Sequence, residues 1–295
     1  MKNLVVSSIE SVHGDPRPIS ALTGADATGA ASLADDIHFF RETSLAVWEL
    51  AAAAAERTLG ASRVRPDLVV YVSENDDDAA GTLPRLLARL ALPFTDHLAL
   101  AGHDCGNLPV ALKVSDALLE AGHDRVLLVL ADRARDGHRT MANGLSVFSD
   151  NATACLLARE PVADAASLAV DAVVTRTEIP LDAGGAGHDL LSSVQLVQEG
   201  AEGLLKETAS TGADFAHVVL PNYRRTAQIF LMTALGMPPE KLLSGRVAEL
   251  AHSFSADVLI TLAERSGRGD IAAGERLLAL VGGPYSWSAL ALQKL

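Results

Sequence analysis

Leu98-Ala-Leu-Ala-Gly-His-Asp-Cys-Gly-Asn-Leu-Pro-Val-Ala-Leu-Lys-Val-Ser-Asp116 joins a short apolar run to a helical pattern, with a cysteine between them. The run Leu98 to Ala101 predicts a short buried strand. Leu108, Ala111, Leu112, Ser115, Leu118 and Leu119 recur at i, i+3, i+4 spacing and predict an amphipathic helix. Pro109 is tolerated only in a first helical turn, so the helix begins near Gly106 and Cys105 lies at its N-terminus. Unpaired N–H groups and the helix dipole favour a thiolate there. A cysteine on such a strand-to-helix elbow has the placement of an activated nucleophile. Two observations stand on the other side: cysteine is among the most buried residue types, and the adjacent Asp104 raises a thiol pKa.

The rest of the chain bounds the answer. Its 295 residues are 49% hydrophobic and 21% charged, a globular composition long enough for one large or two ordinary domains. The net charge of −13 comes without a basic stripe, which speaks against a nucleic-acid partner. Two cysteines, Cys105 and Cys155, are too few for a disulfide framework and fit a reducing cytoplasm. The N-terminus lacks the apolar region of a signal peptide, and no run is long enough to span a bilayer.

Apolar runs predict further strands at Asn3–Ser8, Asp67–Ser73, Arg125–Ala131, Ala169–Thr175, Phe215–Leu220, Glu275–Val281 and Trp287–Leu292. Ser146–Asp150 and Ala152–Ala158 read as a strand pair turning at Asp150-Asn151. Helices are expected at Ser44–Leu59, Leu83–Leu92, Leu190–Thr208, Thr226–Leu235 and Ala251–Arg265. Residues 14–36 read as irregular, the acidic run Glu74–Asp78 as a solvated loop, and the glycine-rich Ala183–Gly187 as a loop without the Lys-Ser/Thr of a phosphate cradle.

The two halves repeat each other in pattern. Asp67-Leu-Val-Val-Tyr-Val-Ser matches Ala216-His-Val-Val-Leu-Pro-Asn, the Cys105 elbow matches an elbow at His252, and Arg125-Val-Leu-Leu-Val-Leu-Ala matches Arg276-Leu-Leu-Ala-Leu-Val-Gly, each about 150 residues apart. A duplicated β/α arrangement with a pseudo-twofold axis follows, with halves at 1–163 and 164–295. Ligands of open α/β sheets bind beyond the carboxyl ends of strands, so the duplication could bring Cys105, Asn222 and His252 to one pocket.

With these elements in place, the chain resembles the ketoacyl-acyl carrier protein synthase III enzymes of the thiolase superfamily. Cys105-Gly-Asn-Leu-Pro-Val-Ala-Leu stands where the family has its nucleophile segment Cys-Ala-Gly-Phe. Phe148-Ser-Asp-Asn-Ala-Thr-Ala154 is similar to Phe-Gly-Asp-Gly-Ala-Gly-Ala, and Gly282-Gly-Pro-Tyr-Ser-Trp287 to the C-terminal glycine turn. The resemblance implies a thiolase fold, α/β with duplicated halves layered αβαβα, and a homodimer with residues near 98–102 at its interface. One departure matters most: Asn222 occupies the family's His position and His252 its Asn position. In the family both groups stabilise the charge that develops as a malonyl thioester loses carbon dioxide.

The resemblance implies that Cys105 takes an acyl group from a coenzyme A or phosphopantetheinyl carrier-protein thioester, which is a substrate; no cofactor, metal or membrane partner is implied. The N–H groups of Cys105 and Gly283 would form the oxyanion hole. A single imidazole, at His252, suits a general base for a small-molecule hydroxyl, amine or thiol acceptor. The expected function is therefore an acyltransferase of a natural-product pathway. Decarboxylative condensation and a catalytically silent partner subunit are the alternatives. Asn222 would hold a substrate carbonyl, and Asp257, five residues along an expected helix, would orient His252 only indirectly. Arg224 and Arg225 could meet an acidic carrier protein or a nucleotide phosphate. A helix-terminal Cys105 would be partly thiolate unaided, so acylation is expected to survive loss of His252.

Overall fold

The computed structural model describes residues 3–141, 143–162, 165–179 and 190–295. The chain runs β1 (Leu4–His13), β2 (Asp15–Pro18), α1 (Gly24–Ala30), β3 (Phe39–Glu42), α2 (Val47–Ser62), β4 (Leu68–Val72), α3 (Ala79–Arg89), β5 (Asp96–Leu100), α4 (Asn107–Glu120), β6 (Arg125–Asp132) and β7 (Asn151–Ala158). It continues with β8 (Ser167–Thr177), α5 (Leu190–Glu207), β9 (His217–Val219), α6 (Arg225–Ala234), α7 (Val247–Leu250), α8 (Asp257–Gly267), β10 (Arg276–Gly282) and β11 (Ser286–Lys294).

Nine strands form one sheet in the order β5-β4-β6-β7-β1-β8-β11-β10-β9. The order reads alike in both directions from its centre, where β1 and β8 pair antiparallel. On one side β1, β7 and β6 pair antiparallel in turn and β4 joins β6 in parallel. On the other, β8, β11 and β10 pair antiparallel and β9 joins β10 in parallel. β5 extends the first side.

Strand alternation sets the layers. Val70 and Leu128 face a core shared with Leu108 and Leu112 of α4 and Val258 and Leu262 of α8, and that same core takes Leu277 and Ala279 from the other side of the sheet. Helices α4 and α8 therefore lie between the two halves, α4 against β4, β6 and β8, and α8 against β9, β10 and β1. Val69, Tyr71 and Val129 point the opposite way, onto α2 and α3. Leu278 and Leu280 meet the helices that follow β8 and β9. This is the αβαβα layering of a thiolase fold. The alanines of α2, at 51, 52, 54 and 55, are buried against the sheet, where a small side chain lets helix and strands approach closely.

Several expectations change. The strand opening the Cys105 elbow is β5, a sheet edge that is mostly exposed and not buried. Asp150-Asn151 is not a turn: buried Asp150 accepts N–H groups from Thr43 and Ala134 and pairs with Arg139, which keeps residues 146–150 extended outside the sheet. Residues 14–36 hold β2 and α1. Helix α3 begins four residues earlier than expected because Asp78 caps it, accepting the Gly81 N–H at 3.0 Å. The glycine-rich loop at 183–187 and the division at 163–164 lie outside the described residues. No helix among the described residues is long and apolar enough to cross a membrane.

Candidate active site

The two elbows meet where α4 and α8 start. Cys105 sits in a single 3-10 turn, Asp104–Gly106, immediately before α4. Asp104 has a φ of +51°, a left-handed conformation that Asp tolerates better than most residues. His252 follows Ala251, whose φ of +49° turns the chain sharply out of α7. Its main chain is pinned on both sides, the N–H to Val147 O at 2.9 Å and the carbonyl by the Ser149 N–H at 2.8 Å. Two strained residues, each beside a chemically capable side chain, are the pattern expected where geometry is imposed for function.

The side chains complete a relay. His252 Nε2 lies 3.1 Å from Cys105 Sγ, and His252 Nδ1 bonds directly to Asp257 Oδ2. Asp257 is buried, and an unpaired carboxylate there would cost several kcal/mol. It is fully partnered instead: Oδ1 accepts the Ser253 N–H and Oδ2 the Asn222 N–H, both at 2.7 Å, and the residue opens α8, where the helix dipole favours an anion. Phe148, Tyr223 and Phe254 surround the imidazole with ring centroids 5.6, 5.4 and 6.3 Å away. Burial pushes the Cys105 thiol well up, and the neighbouring Asp104, whose Oδ1 is 3.4 Å from Sγ, pushes it further. Both influences oppose the thiolate that the helix end alone was expected to supply.

Asp257 orients His252 by contact, where sequence spacing suggested an indirect role. The helix does not run on from Ala251: residues 252–256 fold as a turn, and α8 begins at Asp257 itself, so a five-residue separation closes on one bond. Asn222 moves the other way. Its N–H serves Asp257, but its amide packs beside Gly245 and Thr261; a Cβ at Gly245 would come within 2.4 Å of Asn222 Oδ1 and 2.5 Å of Thr261 Oγ1. The Asn222 side chain is buried, and neither Oδ1 nor Nδ2 has a hydrogen-bond partner.

Gly283 also differs from expectation. Its N–H is taken up by Ser286 O at 2.8 Å, the bond that closes the turn between β10 and β11. What requires glycine here is close approach, since a Cβ would stand 2.6 Å from the His103 carbonyl oxygen in the Cys105 elbow. Gly283→Val should therefore displace that elbow and slow any reaction of Cys105 by ~10²-fold, the scale of a misplacement of about 1 Å. Stopped-flow acylation of a mutant with wild-type circular dichroism checks this, and an unchanged rate would mean that the elbow tolerates the bulk.

A cavity of about 780 Å³ opens at Cys105, lined by Met141, Leu145, Phe148, Phe230 and Trp287 on its apolar side and by Asn143, Arg224 and Thr226 among its polar groups. The two arginines separate: Arg224 lines this cavity, whereas Arg225 Nη1 donates to Ser244 Oγ and its N–H to Asp36 Oδ2. Cys155 is fully buried on β7, and burial pushes its thiol up to about 12. Among the described residues, no group of three or more His, Cys, Asp or Glu side chains could hold a metal ion. Phe148 entered the sequence reading only as the first residue of a motif, and Tyr223 only as the neighbour of Asn222; neither was read as a wall of the imidazole site.

Comparison with known proteins bears on the fold. No family model matches the chain. Beta-ketoacyl-[acyl-carrier-protein] synthase III 2 of Streptomyces coelicolor is 29% identical over 264 residues, covering 82% of this chain and 76% of that protein. Among solved structures, the acyltransferase ChlB3 superposes with a TM-score of 0.83 at 20% identity, covering 99% of this chain and 98% of that one. The chain is similar in sequence to ketoacyl synthase III proteins. The 3-oxoacyl-(acyl carrier protein) synthase III FabH of Pseudomonas aeruginosa superposes with a TM-score of 0.78 at 20% identity, over 99% of this chain and 98% of that one. The described residues therefore have a thiolase fold.

Proposed function

We propose that the protein is an acyltransferase that moves an acyl group from a coenzyme A or carrier-protein thioester, through an acyl-Cys105 intermediate, to a hydroxyl, amine or thiol acceptor. The observation that carries this reading is the single imidazole of His252, bound at one nitrogen to the thiol and at the other to Asp257. Such a relay moves protons in both directions. His252 Nε2 takes the Cys105 S–H proton as sulfur attacks the thioester carbonyl carbon. The imidazolium, held by Asp257, returns that proton to the departing thiolate of the donor. The neutral imidazole then takes the acceptor's proton as the acceptor attacks the acyl-enzyme, and gives it back to the Cys105 sulfur as that bond breaks.

Decarboxylative condensation makes a different demand. No proton leaves an acceptor; charge builds on a thioester oxygen and must be met by donors aimed at it. The Asn222 amide is buried with its oxygen beside Gly245, and neither its Oδ1 nor its Nδ2 has a hydrogen-bond partner. Kinship with an acyltransferase supports the transfer reading, and kinship with synthases of the acyl-carrier-protein type supports a thioester donor. Arg224, on the cavity wall, is the residue placed to meet a phosphate or acidic group of that donor. A dimer formed along the exposed edge β5 belongs to the same reading.

The test is a partition experiment. With acyl thioesters and a panel of nucleophiles, the protein should form an acyl-enzyme and pass the group on; with malonyl thioesters it should release no carbon dioxide at a useful rate. Rapid carbon dioxide release with a β-ketoacyl product would restore condensation. Failure to take up any acyl group would leave the silent-subunit alternative.

A further inference from the structure

The acidic run Glu74–Asp78 is not a solvated loop throughout, and its first residue reaches the nucleophile's elbow. Glu74 Oε2 accepts three hydrogen bonds, from the Gly102 N–H at 2.7 Å, the Asn107 Nδ2 at 3.1 Å and the Asp104 N–H at 3.2 Å. These donors bracket Cys105 on both sides, and one belongs to Asp104, whose left-handed φ sets the direction of the elbow. Asn107 is buried and also donates to the Asp104 carbonyl at 2.8 Å, so it ties the first turn of α4 to the same point. Glu74 is itself held. Buried Asp132, at the end of β6, accepts from the Ser73 hydroxyl and from the Glu74 and Asn75 N–H groups at 3.1, 2.9 and 3.0 Å through one oxygen. The ends of β4 and β6 thus fix the Glu74 main chain, and its carboxylate fixes residues 102–107.

We infer that Glu74 is a positioning residue for Cys105: its carboxylate holds Asp104 in the left-handed conformation and thereby keeps Cys105 Sγ within reach of His252 Nε2. This rests on Cys105 being the nucleophile, but not on which group it carries. Burial alone would raise the Glu74 pKa, yet the bonds from Asn107, Gly102 and Asp104 outweigh it and hold the carboxyl below its usual range, so the acceptor is ionised at neutral pH. The Asp104 carbonyl is held separately, by Asn107 Nδ2 at 2.8 Å and Ser255 Oγ at 3.1 Å, whereas the bond to its N–H comes from Glu74. Without that bond a non-glycine residue relaxes toward negative φ, and Cys105 moves with it.

Glu74→Ala and Glu74→Gln separate this from a role in folding alone. Glutamine keeps one oxygen able to accept the same three donors, whereas alanine keeps none. Two rates are read on each folded protein: acyl-enzyme formation from short-chain acyl thioesters of N-acetylcysteamine, and alkylation of Cys105 by iodoacetamide followed by peptide mass. Glu74→Ala should slow acyl-enzyme formation by ~10²-fold with little change in half-saturating donor concentration, and should slow alkylation by ~10-fold, because a protonated thiol parted from its base is a poor nucleophile. Glu74→Gln should recover both to within ~5-fold of the wild type, since the neutral acceptor gives weaker but correctly placed bonds. Alkylation by a folded Glu74→Ala protein at the wild-type rate or faster would overturn the inference, as would a Gln variant no better than Ala. Slowed alkylation in a protein that takes no acyl group even as wild type would keep the positioning role and remove the acyl-transfer reading.

Discussion

Cys105→Ala should take up no acyl group from any thioester donor, while the wild type gains one acyl mass that maps to the peptide containing Cys105. The loss should be complete because no second thiol can substitute. Cys155, the other cysteine, is fully buried on β7 between β1 and β6, and its thiol is pushed up to about 12 by burial alone. Cys105 is nearly as enclosed, but it differs in having the imidazole nitrogen of His252 at 3.1 Å and a cavity of about 780 Å³ on its open side. A buried thiol becomes a nucleophile when a base can take its proton. Intact-mass and peptide-mapping spectra before and after incubation decide the point. An adduct that persists in Cys105→Ala, or that maps to Cys155, would move the chemistry away from the elbow.

The elbow was legible in the sequence because Pro109 and an apolar run bracket it: one residue limits where the helix starts, and the other marks the strand. The doubling of the fold was legible because each half carries the same spacing of strands and elbow. What escaped were contacts made by main chain or by a change of direction. Asp257 lay five residues from His252, a separation that helical geometry makes unhelpful; only a turn ending where α8 begins brings the two together. Asn222 was read for its side chain alone, and its main-chain N–H also reaches the relay. Gly283 was read as a donor when its lack of a side chain is what the elbow uses. Glu74 was hidden in a run of acidic residues that composition alone assigns to solvent; a single oxygen with three donors leaves no periodic or local signature. β5 looked buried by its apolar residues, and sheet position, which a short apolar run cannot report, put it at the edge.

His252→Ala should lower the rate of acyl-enzyme formation by ~10²–10⁴-fold, the range for a positioned general base. Reasoning from the helix end alone gave the opposite result, with acylation intact and only the transfer step impaired. The reversal follows from the thiol's surroundings. Burial and the Asp104 carboxylate push the Cys105 pKa up and so oppose the helix terminus, and His252 Nε2, 3.1 Å from the sulfur, is the base placed to take its proton. Asp257→Asn should cost about as much in the same step, because an amide cannot support the imidazolium and favours the wrong tautomer. The pH dependence separates this from a general disturbance of the site. In His252→Ala only the ionised fraction of the thiol reacts, and below the thiol pKa that fraction grows about tenfold per pH unit. Acylation by the mutant should therefore rise steadily as pH is raised above neutrality, whereas the wild type, with its internal base, should depend on pH far less. A His252→Ala protein that acylates at the wild-type rate at pH 7 would mean that the thiol ionises by other means, and the relay from Cys105 through His252 to Asp257 would lose its part in the first step.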